Sequence, residues 1–315
     1  MSKIFQFIQK NCNHGFNLHS RISFCQNYPF NIKRDDELSF GISGSKLRKY
    51  ASLINVLLEK KSNCIAVGGP YSNNLVGLAQ ILNEYQIKKK FLLIENNRIK
   101  MIGNYFLLKL LCKEEELMFI NKESYLDAEN FACNLDKNTF FIPEGAACVE
   151  SIAGISTLVF DILKNEKDYQ KNWSHWILDA GTGWTAAAVV WLNAYLQLEK
   201  KISIIMIAGD ANSFQNSLFK VNEYFNLNGF YLSNHVYNFD LHFPTIGKSF
   251  GSMPQKIIQY IENFAKNNGI LLDPIYSAKT FYTAEHLFGN EKENTLIIHS
   301  GGANALHGFV SNFFK

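Results

Sequence analysis

Trp176-Ile177-Leu178-Asp179-Ala180-Gly181-Thr182-Gly183-Trp184-Thr185-Ala186-Ala187-Ala188-Val189-Val190-Trp191-Leu192 changes character twice along its length. It opens as a short apolar run of strand type, tightens into a glycine-threonine loop and continues as an apolar helical run. Strand, loop and helix N-terminus in that order can turn backbone N–H groups and threonine hydroxyls toward a phosphate, where the helix dipole adds attraction. The loop is neither G-x-G-x-x-G nor a Walker loop, since no Gly-Lys-Ser/Thr follows. Taken alone it reads as readily as a structural turn as it does as an anion site.

The same alternation extends in both directions. Upstream, Cys64 to Val67, Phe91 to Ile94, Leu117 to Ile120 and Phe140 to Ile142 read as buried strands. Helical patterns around 73–84, 101–112 and 124–134 separate them, so residues 60–142 predict a four-stranded parallel sheet. Downstream, Ile202 to Ile207 and Thr295 to Ile298 join Trp176 to Leu178 as strands, with helices expected at 150–164, 185–198, 212–224, 254–267 and 303–314. The expectation is an α/β fold of two open, mainly parallel sheets flanked by helices, without internal repeats.

Bulk composition narrows the function classes. The 315 residues carry 31 basic and 28 acidic side chains, interleaved along most of the chain, so no broad basic surface for nucleic acid is expected. Lys88-Lys89-Lys90 reads as a solvated loop before a strand. The six cysteines, Cys12, Cys25, Cys64, Cys112, Cys133 and Cys148, contain no C-x-x-C pair, which argues against a zinc knuckle or a thioredoxin-type redox centre. No stretch reaches the ~20 apolar residues of a membrane span, and the N-terminus lacks the pattern of a secretory leader, so a cytoplasmic protein is expected. His14, His19, His175 and His235 do not fall at metal-ligand spacing, and no metal is predicted.

Ligands of open α/β sheets sit beyond the carboxyl ends of the strands. Here those ends read Gly68-Gly69-Pro70-Tyr71-Ser72-Asn73-Asn74, then the Gly181 loop, then His299-Ser300-Gly301-Gly302. His299 reads equally as a structural hydrogen bonder and as a catalytic group, and Glu144 as the cap of the next helix. Gly44-Ser45-Lys46-Leu47-Arg48-Lys49 sets three cations at the start of a helix, where they oppose the dipole, so stability alone explains them poorly. Lys33-Arg34-Asp35-Asp36, just before it, reads as a surface strand because of its mixed charge.

Taken in order, Lys-x-Arg-Lys, Gly-Gly-x-Tyr-Ser-Asn, Gly-Thr-Gly-x-Thr, Asp-Pro-x-Tyr and His-x-Gly-Gly resemble the family of 1-aminocyclopropane-1-carboxylate deaminases and D-cysteine desulfhydrases, from about Lys33 to the C-terminus. The resemblance implies a fold-type-II, tryptophan-synthase-β-like architecture and pyridoxal 5′-phosphate as cofactor. Lys46 matches the lysine that carries the cofactor, Asn73 the partner of its phenolic oxygen, and Gly181, Thr182, Gly183 and Thr185 the phosphate cup. Ser72 matches the residue that meets the substrate carboxylate, Tyr276 the aromatic beside the pyridine ring, and Ser277 and Ser300 the positions near the ring nitrogen. The implied catalytic set is Lys46, Ser72 and Tyr276.

Hydroxyls at 277 and 300, where the cyclopropane deaminases have glutamate and leucine, look like the desulfhydrase branch. A carboxylate would hold the ring nitrogen protonated, whereas a hydroxyl can leave it neutral, which suffices for β-elimination. The resemblance therefore implies a lyase that converts a small amino acid to a 2-oxo acid and ammonia, with sulfide from D-cysteine; cyclopropane deamination is the alternative. Three departures from the family pattern motivate a further alternative, a member that binds cofactor or amino acid without turnover. Trp184 stands at a cup glycine and is expected to swing outward, Ile246 aligns with a family tyrosine, and Ser45 replaces an asparagine. An α/β sugar- or nucleotide-binding protein would share the glycine loops but leaves the ordered motifs unexplained. Residues 1–50 with 152–315 are expected to form the larger, cofactor-binding domain and 51–151 the smaller, with a homodimer as the assembly.

Overall fold

A computed structural model of the chain describes residues 2–39, 44–95, 99–233, 236–247, 249–291 and 294–313, so His235 lies outside the described residues. In chain order the elements are α1 (Lys3–Lys10), β1 (Ile22–Phe24), β2 (Asn31–Lys33), α2 (Lys46–Lys60), β3 (Asn63–Gly68), α3 (Asn73–Glu84), β4 (Lys89–Ile94), α4 (Gly103–Leu111), β5 (Leu117–Ile120), α5 (Lys122–Leu126), α6 (Ala128–Leu135) and β6 (Thr139–Ile142). There follow α7 (Ile152–Tyr169), β7 (His175–Ala180), α8 (Trp184–Tyr195), β8 (Lys201–Met206), α9 (Ala211–Leu227), β9 (Phe239–His242), α10 (Gln255–Asn268), α11 (Ser277–Phe288), β10 (Thr295–Ile298) and α12 (Val310–Phe313).

The strands form two sheets, as expected. One has six strands in the order β1-β2-β10-β7-β8-β9, parallel except for the β1–β2 pair. The other has four parallel strands in the order β5-β4-β3-β6. Helices cover both faces, which is why the strands are apolar on both sides rather than alternating. On the larger sheet Trp176 and Leu178 pack into one core with α7 and α8, while Ile177 points into the opposite core with α10 and α11. The smaller sheet buries Cys64, Ala66, Phe91 and Leu93 against α2 and α3.

Two expectations change. The helix read over 303–314 is a 3₁₀ segment, Ala303–Gly308, followed by the short α12. Gly308 lies so close to Gly103 that a Cβ on Gly103 would come within 3.0 Å of the Gly308 Cα, and this docking onto α4 holds the tail out of a regular helix. Lys33-Arg34-Asp35-Asp36 is not a surface strand: Lys33 and Asp35 are fully buried. Their charges are interior because they neutralise one another through a network. Lys33 Nζ donates to Asp161 Oδ2 at 2.5 Å and to the Ser20 carbonyl at 2.6 Å. The Arg48 guanidinium donates to both Asp35 oxygens at 2.7 Å and to Asp161 at 2.8 Å. His19 closes the cluster on Asp161, and Ser20 Oγ donates to Asp35.

The network ties β2, α2 and α7 together just where α2 begins. A close backbone contact reinforces it: a Cβ on Gly154 of α7 would stand 1.9 Å from the Arg48 carbonyl oxygen. Removing one charge from such a cluster strands the others in the interior, so Asp161→Asn is expected to lower unfolding free energy by ~3–5 kcal/mol. Gly154→Ala, which must push α2 off α7, is expected to cost ~1–3 kcal/mol or more. Urea unfolding followed by circular dichroism checks both, and an unchanged midpoint in either variant would refute the structural role assigned here.

Candidate active site

The carboxyl ends of β7 and β10, the start of α2 and the start of α8 enclose a cavity. Lys46 reaches it as the first residue of α2. Its delivery is backbone-driven: the Ser45 N–H donates to the Ser300 carbonyl at 3.0 Å, and Gly44 adopts φ +52° against the same strand end. A Cβ at 44 would lie 2.7 Å from the Ser300 oxygen, so only glycine lets the lysine loop close on β10. Ser45 thus holds the loop through its main chain, whatever its side chain.

Lys46 makes no hydrogen bond or ion pair to a described residue. Burial depresses its pKa below that of an ordinary lysine, opposed by the carboxylates of Asp179 and Asp273. Lys49, one turn on, also lines the cavity and donates to the Gly145 carbonyl at 2.6 Å. Burial, with the Lys46 charge adding to it, brings its pKa down to about 7. Arg48, by contrast, points away into the buried network, so the three cations of the motif divide into two that face the cavity and one that fixes the helix.

The Gly181-Thr182-Gly183 loop lines the wall, and Gly183 precedes α8 in the left-handed region at φ +81°. Residues 184 and 185 then begin the helix with ordinary backbone angles, leaving first-turn N–H groups without intrahelical acceptors at the cavity. This is also why tryptophan is tolerated at 184, where the helical backbone needs no glycine. Trp184 does not swing outward: it is 6% exposed, packed into the core beside α8, with Lys220 Nζ 6.0 Å from its ring centre. Burial of so large an aromatic outweighs exposure.

Tyr276, Ser300 and Asn73 face the same cavity. Burial first, then the charges of Asp273, Asp179 and Glu144, raise the Tyr276 hydroxyl well above the usual tyrosine range, so it stays a proton donor. The Asn73 carbonyl accepts from Asn104 Nδ2 at 2.6 Å, which leaves its own NH₂ group for a ligand. Ser72 caps α3, its Oγ accepting from the Asn74 and Leu75 N–H groups at 3.2 and 3.3 Å while its hydrogen stays free to donate. Ser72 is not among the residues that line the cavity, and neither is Ser277. Ser277 is buried, with its hydroxyl donating to Asp273 Oδ2 at 2.8 Å and accepting from the Asp273 N–H at 2.7 Å. The start of α11 has four hydrogen bonds to organise around Asp273, and Ser277 is spent on them.

His299 is structural: one ring nitrogen faces the Leu271 carbonyl at 2.9 Å and the other accepts from the Gly301 N–H at 3.1 Å. Glu144 accepts from the Tyr125 hydroxyl. Ile246 packs on the core beside α10 and α11 and is not among the cavity residues. Sequence reading missed Lys49, Asn104 and Asp179 as site residues. Asp179 did carry a signal, an acid ending an otherwise apolar strand directly before a glycine loop.

No protein-family model matches the chain. It is 26% identical over 285 residues to a Pyrococcus furiosus protein named "Putative 1-aminocyclopropane-1-carboxylate deaminase", covering 86% of this chain and 84% of that one. It is 24% identical over 299 residues to the Arabidopsis thaliana "Bifunctional D-cysteine desulfhydrase/1-aminocyclopropane-1-carboxylate deaminase, mitochondrial", covering 88% and 73%. Among solved structures, one titled as an ACC deaminase homologue superposes with a TM-score of 0.86 at 22% identity over 99% of both chains. A threonine deaminase from Solanum lycopersicum superposes with a TM-score of 0.63 at 15% identity, over 98% and 93%. The resemblance seen in the motifs is borne out, and the fold is the fold-type-II, tryptophan-synthase-β-like one.

The lowered Lys49 pKa has a consequence for stability. Between about 7 and the ordinary lysine value of 10.5 the unfolded chain holds the Lys49 proton and the folded chain does not. Stability from this group therefore rises with pH across that window, by up to ~1.4 kcal/mol per pH unit. Lys49→Met is expected to be more stable than the parent at pH 7 and to flatten this rise, as read from urea unfolding between pH 7 and 9.5; an unchanged slope would show that Lys49 is not buried uncharged.

Proposed function

We propose that the chain is a pyridoxal-phosphate-dependent lyase of the D-cysteine desulfhydrase type, eliminating across Cα and Cβ of a small amino acid to give a 2-oxo acid and ammonia. The observation that carries the reading is the meeting, in one cavity, of a half-buried lysine without a hydrogen-bond partner among the described residues and a helix N-terminus whose first N–H groups lack intrahelical acceptors. The residues fit the cofactor. Lys46 would carry it. Gly181, Thr182, Gly183 and Thr185, with Lys49 beside them, would hold a phosphate through backbone donors, two hydroxyls and an amine whose proton the phosphate charge would help to keep. Asn73, its carbonyl already occupied by Asn104, offers an N–H to the phenolic oxygen. Tyr276 would lie beside the ring and Ser300 near its nitrogen, while Ser277 contributes by fixing Asp273.

When bound, pyridoxal phosphate supplies a conjugated electron-withdrawing ring next to the substrate's Cα. The chain's own residues do the rest. Ser72, with its hydrogen free, donates to the substrate carboxylate. Lys46 would be the base, because burial holds down its ammonium form, and its Nζ would take the Cα proton. As the thiolate of D-cysteine leaves Cβ, the Tyr276 hydroxyl is the neutral acid placed to meet developing negative charge. The 2-aminoacrylate left behind takes up water to give pyruvate and ammonia.

The two sheets, each with its own core, support residues 1–50 with 152–315 and residues 51–151 as two domains that close over the cavity. A cytoplasmic homodimer is proposed on the general prevalence of closed two-fold assemblies. Cyclopropane ring-opening is the second reading, favoured by the names of the relatives.

Incubation of the protein with pyridoxal phosphate and D-cysteine, L-cysteine or 1-aminocyclopropane-1-carboxylate tests the reading. Sulfide and pyruvate are expected from D-cysteine, with Tyr276→Phe lowering kcat ~10²-fold and Ser72→Ala acting chiefly on KM. 2-Oxobutanoate from the cyclopropane substrate, with no sulfide from either cysteine, would select the second reading; no product from any of the three would contradict both.

A further inference from the structure

The cavity holds one acid that the reaction as described does not use. Asp179 is the penultimate residue of β7 and lines the cavity with Lys46 and Ser300. The registered pairs Thr295 with His175, Leu296 with Trp176 and Ile297 with Ile177 put the ends of β7 and β10 side by side, so Asp179 stands next to the His299-Ser300 step. Its direction is fixed by strand alternation. Leu178 and Ala180 point into the core under α8, and Asp179 points the other way, toward Asp273 and Tyr276. Burial raises its pKa, and the hydroxyl of Ser300, which lines the same cavity, opposes that rise. The charged and titratable groups around it are Lys46 and Lys49 on α2, Asp273 before α11 and Tyr276.

A half-buried carboxylate at the end of an apolar strand is costly unless something beside it neutralises it. No ion pair to Asp179 exists among the described residues, and Lys46 acts on it only across the cavity.

Resting on the reading above, we propose that Asp179 is a positioning residue that acts through Ser300: it accepts the Ser300 hydroxyl hydrogen, so that the Ser300 oxygen presents a lone pair to the cofactor's ring nitrogen and holds that nitrogen protonated. The carboxylate that Ser277 lacks is thereby supplied from β7 at one remove. The Ser300 hydroxyl alone would leave the ring nitrogen neutral, which suits only substrates whose leaving group departs as charge builds. With Asp179 behind Ser300 the site also sustains amino acids whose Cα proton must leave before any bond at Cβ breaks.

The test is the ¹⁵N spectrum of the protein loaded with pyridoxal phosphate labelled at the ring nitrogen, for the parent chain, Asp179→Asn and Ser300→Ala, with attachment to Lys46 verified by mass in the same samples. The parent is expected to show a protonated ring nitrogen, with the proton lost in both variants and restored in Asp179→Glu. A neutral nitrogen in the parent, or a proton retained in Asp179→Asn, would overturn the inference while leaving the lyase reading intact. Retention in Ser300→Ala alone would overturn the relay through Ser300. Absence of cofactor on Lys46 in the parent would remove the reading and the inference together. If Asp179→Asn does not fold, the parent and Ser300→Ala decide the matter by themselves.

Discussion

Arg48 is clamped between two buried carboxylates, Asp35 before α2 and Asp161 on α7, and the position of everything at the mouth of the larger sheet follows from that clamp. A guanidinium cannot shed its charge in the interior, so it must be met by fixed acceptors on several sides. Here those acceptors belong to different elements, with Lys33 of β2 sharing Asp161. The result is a rigid start for α2, with the clamp at Arg48 only two residues after Lys46. A flexible lysine loop would be useless for chemistry that needs one nitrogen in one place; the clamp, the Gly154 contact and the Ser45–Ser300 bond remove that freedom from three directions.

The electrostatics of the cavity follow from the same geometry. With Arg48 turned inward, Lys46 and Lys49 are left to line one recess, where burial favours the neutral form of each and the Lys46 charge adds to that effect at Lys49. A neutral amine is a nucleophile and a base; an ammonium is neither. Asp179 and Asp273 oppose that tendency at Lys46. The Tyr276 hydroxyl, raised by the same carboxylates and by burial, keeps its proton in the midst of groups that could take it.

The two sheets were legible from apolar runs because both faces of each are covered, and runs such as Phe91 to Ile94 and Ile202 to Ile207 have no other use for so many branched and aromatic side chains. The three-residue strands β1 and β2 were not, since a stretch that short has no period to detect, and β2 ends in a lysine that composition assigns to the surface. Nothing in Lys33-Arg34-Asp35-Asp36 says that its partners lie more than a hundred residues away on α7. Helix α11 escaped notice because its start is set by a long-range use of Asp273 and Ser277 rather than by apolar spacing. The motif residues Lys46, Asn73, Tyr276, Ser300 and the Gly181 loop do converge on one cavity. Ser72 and Ser277 do not join them, because a side chain's hydrogen-bond commitments are tertiary facts.

The central claim is that Lys46 is the covalent anchor for pyridoxal phosphate. Mass spectrometry of peptides from protein incubated with the cofactor and reduced with borohydride tests it most directly, with Lys46→Ala alongside. The account predicts a single reduced phosphopyridoxyl group on the peptide that contains Lys46, absent from the variant. A label on Lys49 or on surface lysines with Lys46 unmodified, or no label at saturating cofactor, would contradict it.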